Sequence, residues 1–281
     1  MSLLRVFTAL SVMLATVGCA PPKSRLDVAG LQSRRASTSW GEAPQATVSY
    51  LRSAGAAEVQ VVWVHGTPGD AQGWSDYVLE PVPGTVSVAL DRPGFGQSEP
   101  QGPVTSLERQ ADAVVALFPP APQRVVVVGH SLGGAVAALV AARNPQRVRA
   151  LVLLAASLDP AQEVIHPMQY VGRAWPIANL LPRALRNANE ELMALKPELL
   201  ALQALLPLIT SPTIIVHGTR DDLVPFANVA YMQSHLRAAS CVKTVVLQGQ
   251  NHFLPWNSET TVREAVVWAA TQGTTVAAPC N

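Results

Sequence analysis

Hydrophobic and polar positions along this 281-residue chain follow two periods that take turns. Residues 124–128 end in four consecutive valines, the pattern of a strand buried on both faces of a parallel sheet. From Leu132 onward, closely spaced Ala, Val and Leu positions predict a buried helix that runs to Asn144-Pro145, where proline ends it. The same signatures recur. Short apolar runs predict strands over 58–64, 85–90, 148–155, 213–216 and 244–247, and the alternation over 47–52 predicts an edge strand. Leu107, Ala111, Val114, Val115 and Phe118 fall at helical spacing over 105–118, with Thr105 or Ser106 as the cap. Further helices fit 226–238 and 259–270. Strands alternating with helices imply an α/β fold: a mostly parallel sheet, helices on both faces, and right-handed crossovers.

One stretch breaks the alternation. Over 158–211 there is no strand pattern, prolines stand at Pro160, Pro167, Pro176, Pro182 and Pro197, and Leu192, Leu195, Leu199, Leu202, Leu205 and Leu206 mark helical stripes. A segment of this length is not a plain loop in a compact domain. It is expected to be a helical cap over the sheet edge, excluding water and shaping an apolar pocket. The plan is then a core of 42–157 and 212–281 with a cap of 158–211 inserted.

Composition narrows the partners. A hydrophobic content of 49% supports one large domain, and a formal net charge of +1 without a Lys/Arg cluster argues against a nucleic-acid surface. A neutral or weakly polar small molecule is the expected substrate. Arg5 precedes an apolar stretch over 6–17 that is too short to span a bilayer as a helix, as in a signal peptide over 1–18. Thr16-Val17-Gly18-Cys19 resembles a bacterial lipoprotein processing site, in which Cys19 is lipidated and becomes the new N-terminus; leucine is usual where Thr16 stands. Cleavage after Ala20 is the rival and leaves Pro21 just past the cut. The expected location is periplasmic or cell-surface, lipid-anchored to a bacterial membrane, with 19–41, rich in Pro, Ser and Arg, as a tether. In an oxidising compartment Cys241, before a strand, and Cys280, past the last helix, are placed to pair.

The candidate chemistry lies between the valine strand and its helix. Gly129-His130-Ser131-Leu132-Gly133 has the spacing of a sharp strand-to-helix turn that leaves a serine hydroxyl exposed. Serine needs a base and a group that orients the base. Of six histidines, His252 alone sits in a polar loop directly after a late strand. The acid should also follow a strand, and the turn after 213–216 carries Asp221 and Asp222. Neighbouring side chains in such a turn diverge, so only one faces the histidine, and Asp221 is preferred. Backbone donors for an oxyanion are expected from Leu132, at the helix start, and Thr67, in the His65–Gly69 loop. Trp74, Phe95, Trp175, Phe253 and Trp256 are candidates to line an apolar acyl pocket.

These residues carry a resemblance. HGTPG at 65–69, DRPGFGQS at 91–98, GHSLGG at 129–134, the turn at 218–225 with Asp221, and NHFLPW at 251–256 occur in the order that resembles an α/β-hydrolase fold enzyme. The resemblance implies Ser131 as nucleophile, Asp221 and His252 as its partners, residues 158–211 as a cap domain, and no metal or organic cofactor. It implies hydrolysis of a carboxylic ester or related acyl compound. Carbon–carbon bond hydrolases, iminopeptidases, lactonases and serine haloperoxidases share the triad, and non-catalytic binding members share the fold. Serine at 131 disfavours the dehalogenase and epoxide-hydrolase branches, which use aspartate there.

Overall fold

The computed structural model describes residues 30–31, 35–41 and 46–272. The expected signal segment 1–18, Cys19 and Cys280 lie outside them. Eight strands form one sheet in the order β1-β2-β4-β3-β5-β6-β7-β8. They are β1 Arg35–Trp40, β2 Ala46–Arg52, β3 Val59–Val64, β4 Thr85–Leu90, β5 Val125–His130, β6 Val148–Leu154, β7 Thr213–Gly218 and β8 Val242–Leu247. The pairs from β4 through β8 are parallel, and β1 and β2 add an antiparallel edge. β3, β4 and β5 are buried along their whole length, which is why their sequences read as continuous apolar runs.

Side chains of a strand alternate between faces. Val125 and Val127 of β5 enter one core cluster with the helices α2 (Leu107–Val115) and α3 (Leu132–Arg143). Val126 and Val128 enter another, with Trp63, Trp74 and Tyr77 and the helix α8 (Glu259–Thr271). α3 is buried from Leu132 to Ala142, so its apolar residues show no polar face.

Two expectations need correction. Residues 35–40 of the expected tether form β1, which pairs with β2 and takes the sheet edge from it; Trp40 closes β1 in the core, donating from Nε1 to Glu99 O. The segment after β3 is helical, a 3-10 turn over Ala71–Trp74 running into α1 (Ser75–Leu79). The Asp70 carboxylate caps the turn by accepting from Gln72 N–H at 2.9 Å. Trp74 is therefore not in a pocket: it is buried, with its ring 5.0 Å from Trp63 and 5.7 Å from Tyr77.

Between β6 and β7 lie α4 (Pro167–Arg173), α5 (Ile177–Leu180), α6 (Arg183–Gln203) and a 3-10 turn over Leu206–Leu208. α6 continues through Pro197. Leu195, Leu199 and Leu202 pack into the core around that residue, which offsets the roughly 3 kcal/mol that an interior proline costs. The start of the segment is fixed by buried Asn228 of α7 (Ala227–His235), whose Oδ1 accepts from both Leu158 and Asp159 N–H at 2.8 Å. Cys241, just before β8, is disulfide-bonded.

Candidate active site

Ser131 sits between β5 and α3 with φ 55° and ψ −128°, a left-handed conformation that costs a non-glycine residue on the order of 1–3 kcal/mol. Surrounding bonds hold it there: its N–H donates to Leu154 O at 3.1 Å, and its carbonyl accepts from Gly134 N–H at 2.8 Å and Ser157 N–H at 3.2 Å. The turn needs its glycine at 133, because a Cβ there would collide with the carbonyls of Val64 and His65.

The acid and base come from the loops after β7 and β8. His252 Nδ1 lies 2.8 Å from Asp221 Oδ2, and both groups are buried. A carboxylate only accepts, so Nδ1 carries the proton and Nε2 keeps a lone pair for a substrate-side proton. Asp221 Oδ1 accepts from Leu223 N–H at 3.0 Å and Val224 N–H at 2.8 Å, which locks the carboxylate plane. Burial pushes this carboxyl up, but the His252 hydrogen bond and charge, the Val224 N–H and His217 outweigh it and hold it below the ordinary range. Asp222 is exposed, as the divergence of adjacent side chains predicts. Ser131 Oγ donates no hydrogen bond to a described residue; serine–base contacts are often long before substrate arrives.

Two further histidines, not assigned roles from the sequence, brace this pair. His130 Nε2–H donates to the His252 carbonyl at 2.9 Å, with the two rings 4.7 Å apart. His217 Nε2 faces Val224 O at 3.0 Å and Asp221 Oδ2 at 3.5 Å.

The other half of the site is the loop from His65 to Gly69. Gly66 lies against the serine: a Cβ on it would stand 2.8 Å from Ser131 Cβ. Thr67 follows directly. Leu132 opens α3, so its N–H has no intrahelical acceptor. Behind the loop, buried Arg92 donates from Nε to His65 O at 2.9 Å and from Nη2 to Gly66 O at 3.0 Å, and pairs with Glu191 of α6 at 2.7 Å. Arg92 belongs to the motif at 91–98, whereas Glu191 lies outside every motif of the chain.

Residues 61–265 match the description "Alpha/beta hydrolase family". The chain belongs to the alpha/beta hydrolase family. Among curated relatives, it is 37% identical over 130 residues to the dihydrolipoyllysine-residue acetyltransferase component of the acetoin cleaving system of Cupriavidus necator, covering 46% of this chain and 34% of that one. It is 32% identical over 145 residues to a pimeloyl-[acyl-carrier protein] methyl ester esterase of Proteus mirabilis, covering 51% and 49%. The chain thus spans between a third and a half of the length of these two relatives. A monoacylglycerol lipase structure from Paleococcus ferrophilus superposes with a TM-score of 0.64 at 19% identity, covering 80% of this chain and 98% of that one, a likeness of fold.

The remaining aromatic candidates divide by position in the fold. Phe253 and Trp256 stand by the histidines, with rings 5.8 Å from His252 and 5.7 Å from His130 respectively. Phe95 is buried behind the loop, edge-on to His65 at 5.5 Å with the Arg92 guanidinium over its face at 5.0 Å. Trp175 is 82% exposed between α4 and α5.

The buried histidines make the fold acid-labile. Burial, with the neighbouring His252 charge second, pulls His130 down to about 3, and burial likewise lowers His65 and His217. Below the ordinary imidazole range near 6.5 the unfolded chain takes up protons that the folded chain refuses, so stability falls as pH drops. His130 alone is expected to cost about 2 kcal/mol between pH 8 and pH 5. Urea unfolding at pH 8 and pH 5 measures this; equal midpoints would contradict it.

Proposed function

We propose that the protein is a serine hydrolase cleaving a small, largely apolar carboxylic ester or related acyl compound. The observation that carries the reading is the 2.8 Å Asp221–His252 hydrogen bond, joined through the His130 bond to the His252 carbonyl to a serine held at positive φ. Ser131 Oγ attacks the acyl carbon while His252 Nε2 takes its proton. Asp221 holds the imidazole tautomer, and the Thr67 and Leu132 N–H groups receive the developing oxyanion. The proton then passes to the leaving alcohol, and water, activated by the same histidine, releases the acid. Phe253 and Trp256 supply apolar surface beside the base, and the helical segment of 158–211 serves as the cap.

Substrate class draws on what the relatives are named for. The esterase of Proteus mirabilis and the lipase of Paleococcus ferrophilus both bear the names of ester hydrolases. The test is a fluorophosphonate probe followed by peptide mapping, alongside p-nitrophenyl acetate, butyrate and longer esters. Stoichiometric labelling of Ser131 with matching loss of turnover is expected. Full activity after labelling, or labelling elsewhere, rejects the reading, and the chain-length profile sizes the pocket.

Gly66→Ala probes the loop independently of the nucleophile. With 2.8 Å between the new Cβ and Ser131 Cβ, loop or serine must shift, and kcat is expected to fall at least about tenfold. An unchanged kcat would place the loop away from the reacting carbonyl.

Export and lipidation of Cys19 belong to the same proposal, supported by Arg5, the apolar run over 6–17 and Gly18-Cys19. Mass spectrometry of the N-terminal peptide decides it: a diacylglyceryl-modified Cys19 is expected, and an unmodified peptide beginning upstream of it would overturn the assignment.

A further inference from the structure

We propose that Glu191, on the inserted helix α6, is a positioning residue for the oxyanion-binding N–H of Thr67, acting through Arg92. The inference rests on the serine-hydrolase reading and adds a link between the insertion and the chemistry. The Gly66 carbonyl and the Thr67 N–H belong to one planar trans peptide unit, so whatever fixes the direction of the carbonyl also fixes the direction of the N–H. Two donors fix it: His65 Nδ1–H at 2.7 Å and Arg92 Nη2 at 3.0 Å. His65 is committed to donating from Nδ1 because its Nε2 accepts from Arg92 N–H at 2.9 Å. Arg92 thus sets both donors, one directly and one through the histidine tautomer.

Arg92 is fully buried, and a guanidinium without a counter-charge does not stay in such a place. Glu191 supplies the counter-charge and also the aim. Its Oε1 takes Arg92 Nη1 at 2.7 Å and its Oε2 takes Nη2 at 3.0 Å, a bidentate pair that fixes the guanidinium plane. Gln110 Nε2 holds Glu191 Oε1 from the other side at 3.0 Å. Glu191 is itself held by its helix. Arg183 and Asn187, spaced four residues apart on the same face of α6, donate to Gly96 O at 2.6 Å and Gly94 O at 2.7 Å of the loop that begins at Arg92. Glu198, farther along, accepts from Leu107 N–H at 2.8 Å at the start of α2. The seat of the inserted helix and the orientation of an oxyanion donor are therefore one hydrogen-bonded unit.

The test compares Glu191→Gln and the apolar pair Arg92→Met/Glu191→Leu with the parent, reading kcat, KM, thermal midpoint and affinity for an alkylboronic acid. Boronates become anionic and tetrahedral on the serine and so report the oxyanion donors. Glu191→Gln is expected to lower kcat roughly 10- to 100-fold, short of or reaching the loss from deleting a donor outright, with KM within about twofold and boronate affinity falling in parallel. The apolar pair removes the buried charges together, so its thermal midpoint is expected to return toward the parent while kcat stays low. Three results overturn the proposal: kcat and boronate affinity of Glu191→Gln within twofold of the parent, a loss confined to KM, or recovery of kcat in the apolar pair. If Glu191→Gln does not fold, the pair alone decides by whether kcat recovers. Ser131→Ala run beside them separates the two claims, since parental turnover there rejects the hydrolase reading, whereas its loss with unaffected Glu191 variants rejects only the positioning role.

Discussion

Ser131→Ala is expected to lower kcat on p-nitrophenyl butyrate by roughly ten-thousandfold to a millionfold while leaving KM and folding nearly unchanged. Alanine keeps the Cβ that already tolerates φ 55°, so the backbone strain of the turn is the same in both chains. Ser131 Oγ makes no hydrogen bond to a described residue, so its removal breaks no internal contact there. Any loss is then chemical rather than structural. His252→Ala is expected to cost about as much, and the double variant little more, because a nucleophile without its base and a base without its nucleophile fail at the same step. Turnover of Ser131→Ala within tenfold of the parent would remove the nucleophile from the mechanism, as would a double variant whose losses simply multiply.

The elements that place Ser131 were legible because burial on both faces leaves no room for polar interruption. β5 is buried along its whole length and α3 from Leu132 to Ala142, and their limits follow from the glycines and from Asn144-Pro145. β1 was not legible. An edge strand needs only one row of partners, and Arg-Ala-Ser-Thr-Ser-Trp carries its core contact in the final residue alone. The short helices after β3 escaped for a different reason: Ala71, Trp74, Tyr77 and Val78 are helically spaced and buried, but two elements of four and five residues are too short for a period to stand out.

In the site, the residues that end strands were readable and those that act across the fold were not. Asp221 and His252 could be placed because parallel strands deliver the loops that follow them to one edge. Arg92 and Glu191 are 99 residues apart in sequence, and neither has a neighbour that reveals the pairing. One signal was present: Arg183, Asn187 and Glu191 recur every four residues beside a leucine stripe, marking a polar row that also faces protein. The same limit explains Trp74, since an aromatic near a candidate loop looks alike whether it lines a pocket or closes the core.

Asp221→Asn is expected to lower kcat about ten-thousandfold, whereas Asp222→Asn should stay within twofold. The size of the first effect follows from the hydrogen-bond directions around the carboxylate. Oδ1 accepts from two backbone N–H groups, of Leu223 and Val224, and only an oxygen can fill that position. Asparagine must therefore turn its amide oxygen toward them and its NH2 toward His252 Nδ1, 2.8 Å away in the parent. A donor facing Nδ1 requires that nitrogen to accept, which moves the imidazole proton to Nε2, the atom that must receive the proton of Ser131. The side chain keeps its shape and place while the base is switched to the wrong tautomer, so thermal unfolding should change far less than turnover. Ten-thousandfold corresponds to about 5.4 kcal/mol of lost transition-state stabilisation, beyond what an exposed carboxylate such as Asp222 contributes through space. Comparing kcat and thermal midpoint for the two single variants checks both halves. A larger loss for Asp222→Asn would exchange the two assignments, and an Asp221→Asn variant within tenfold of the parent would show that His252 keeps its working tautomer without the carboxylate.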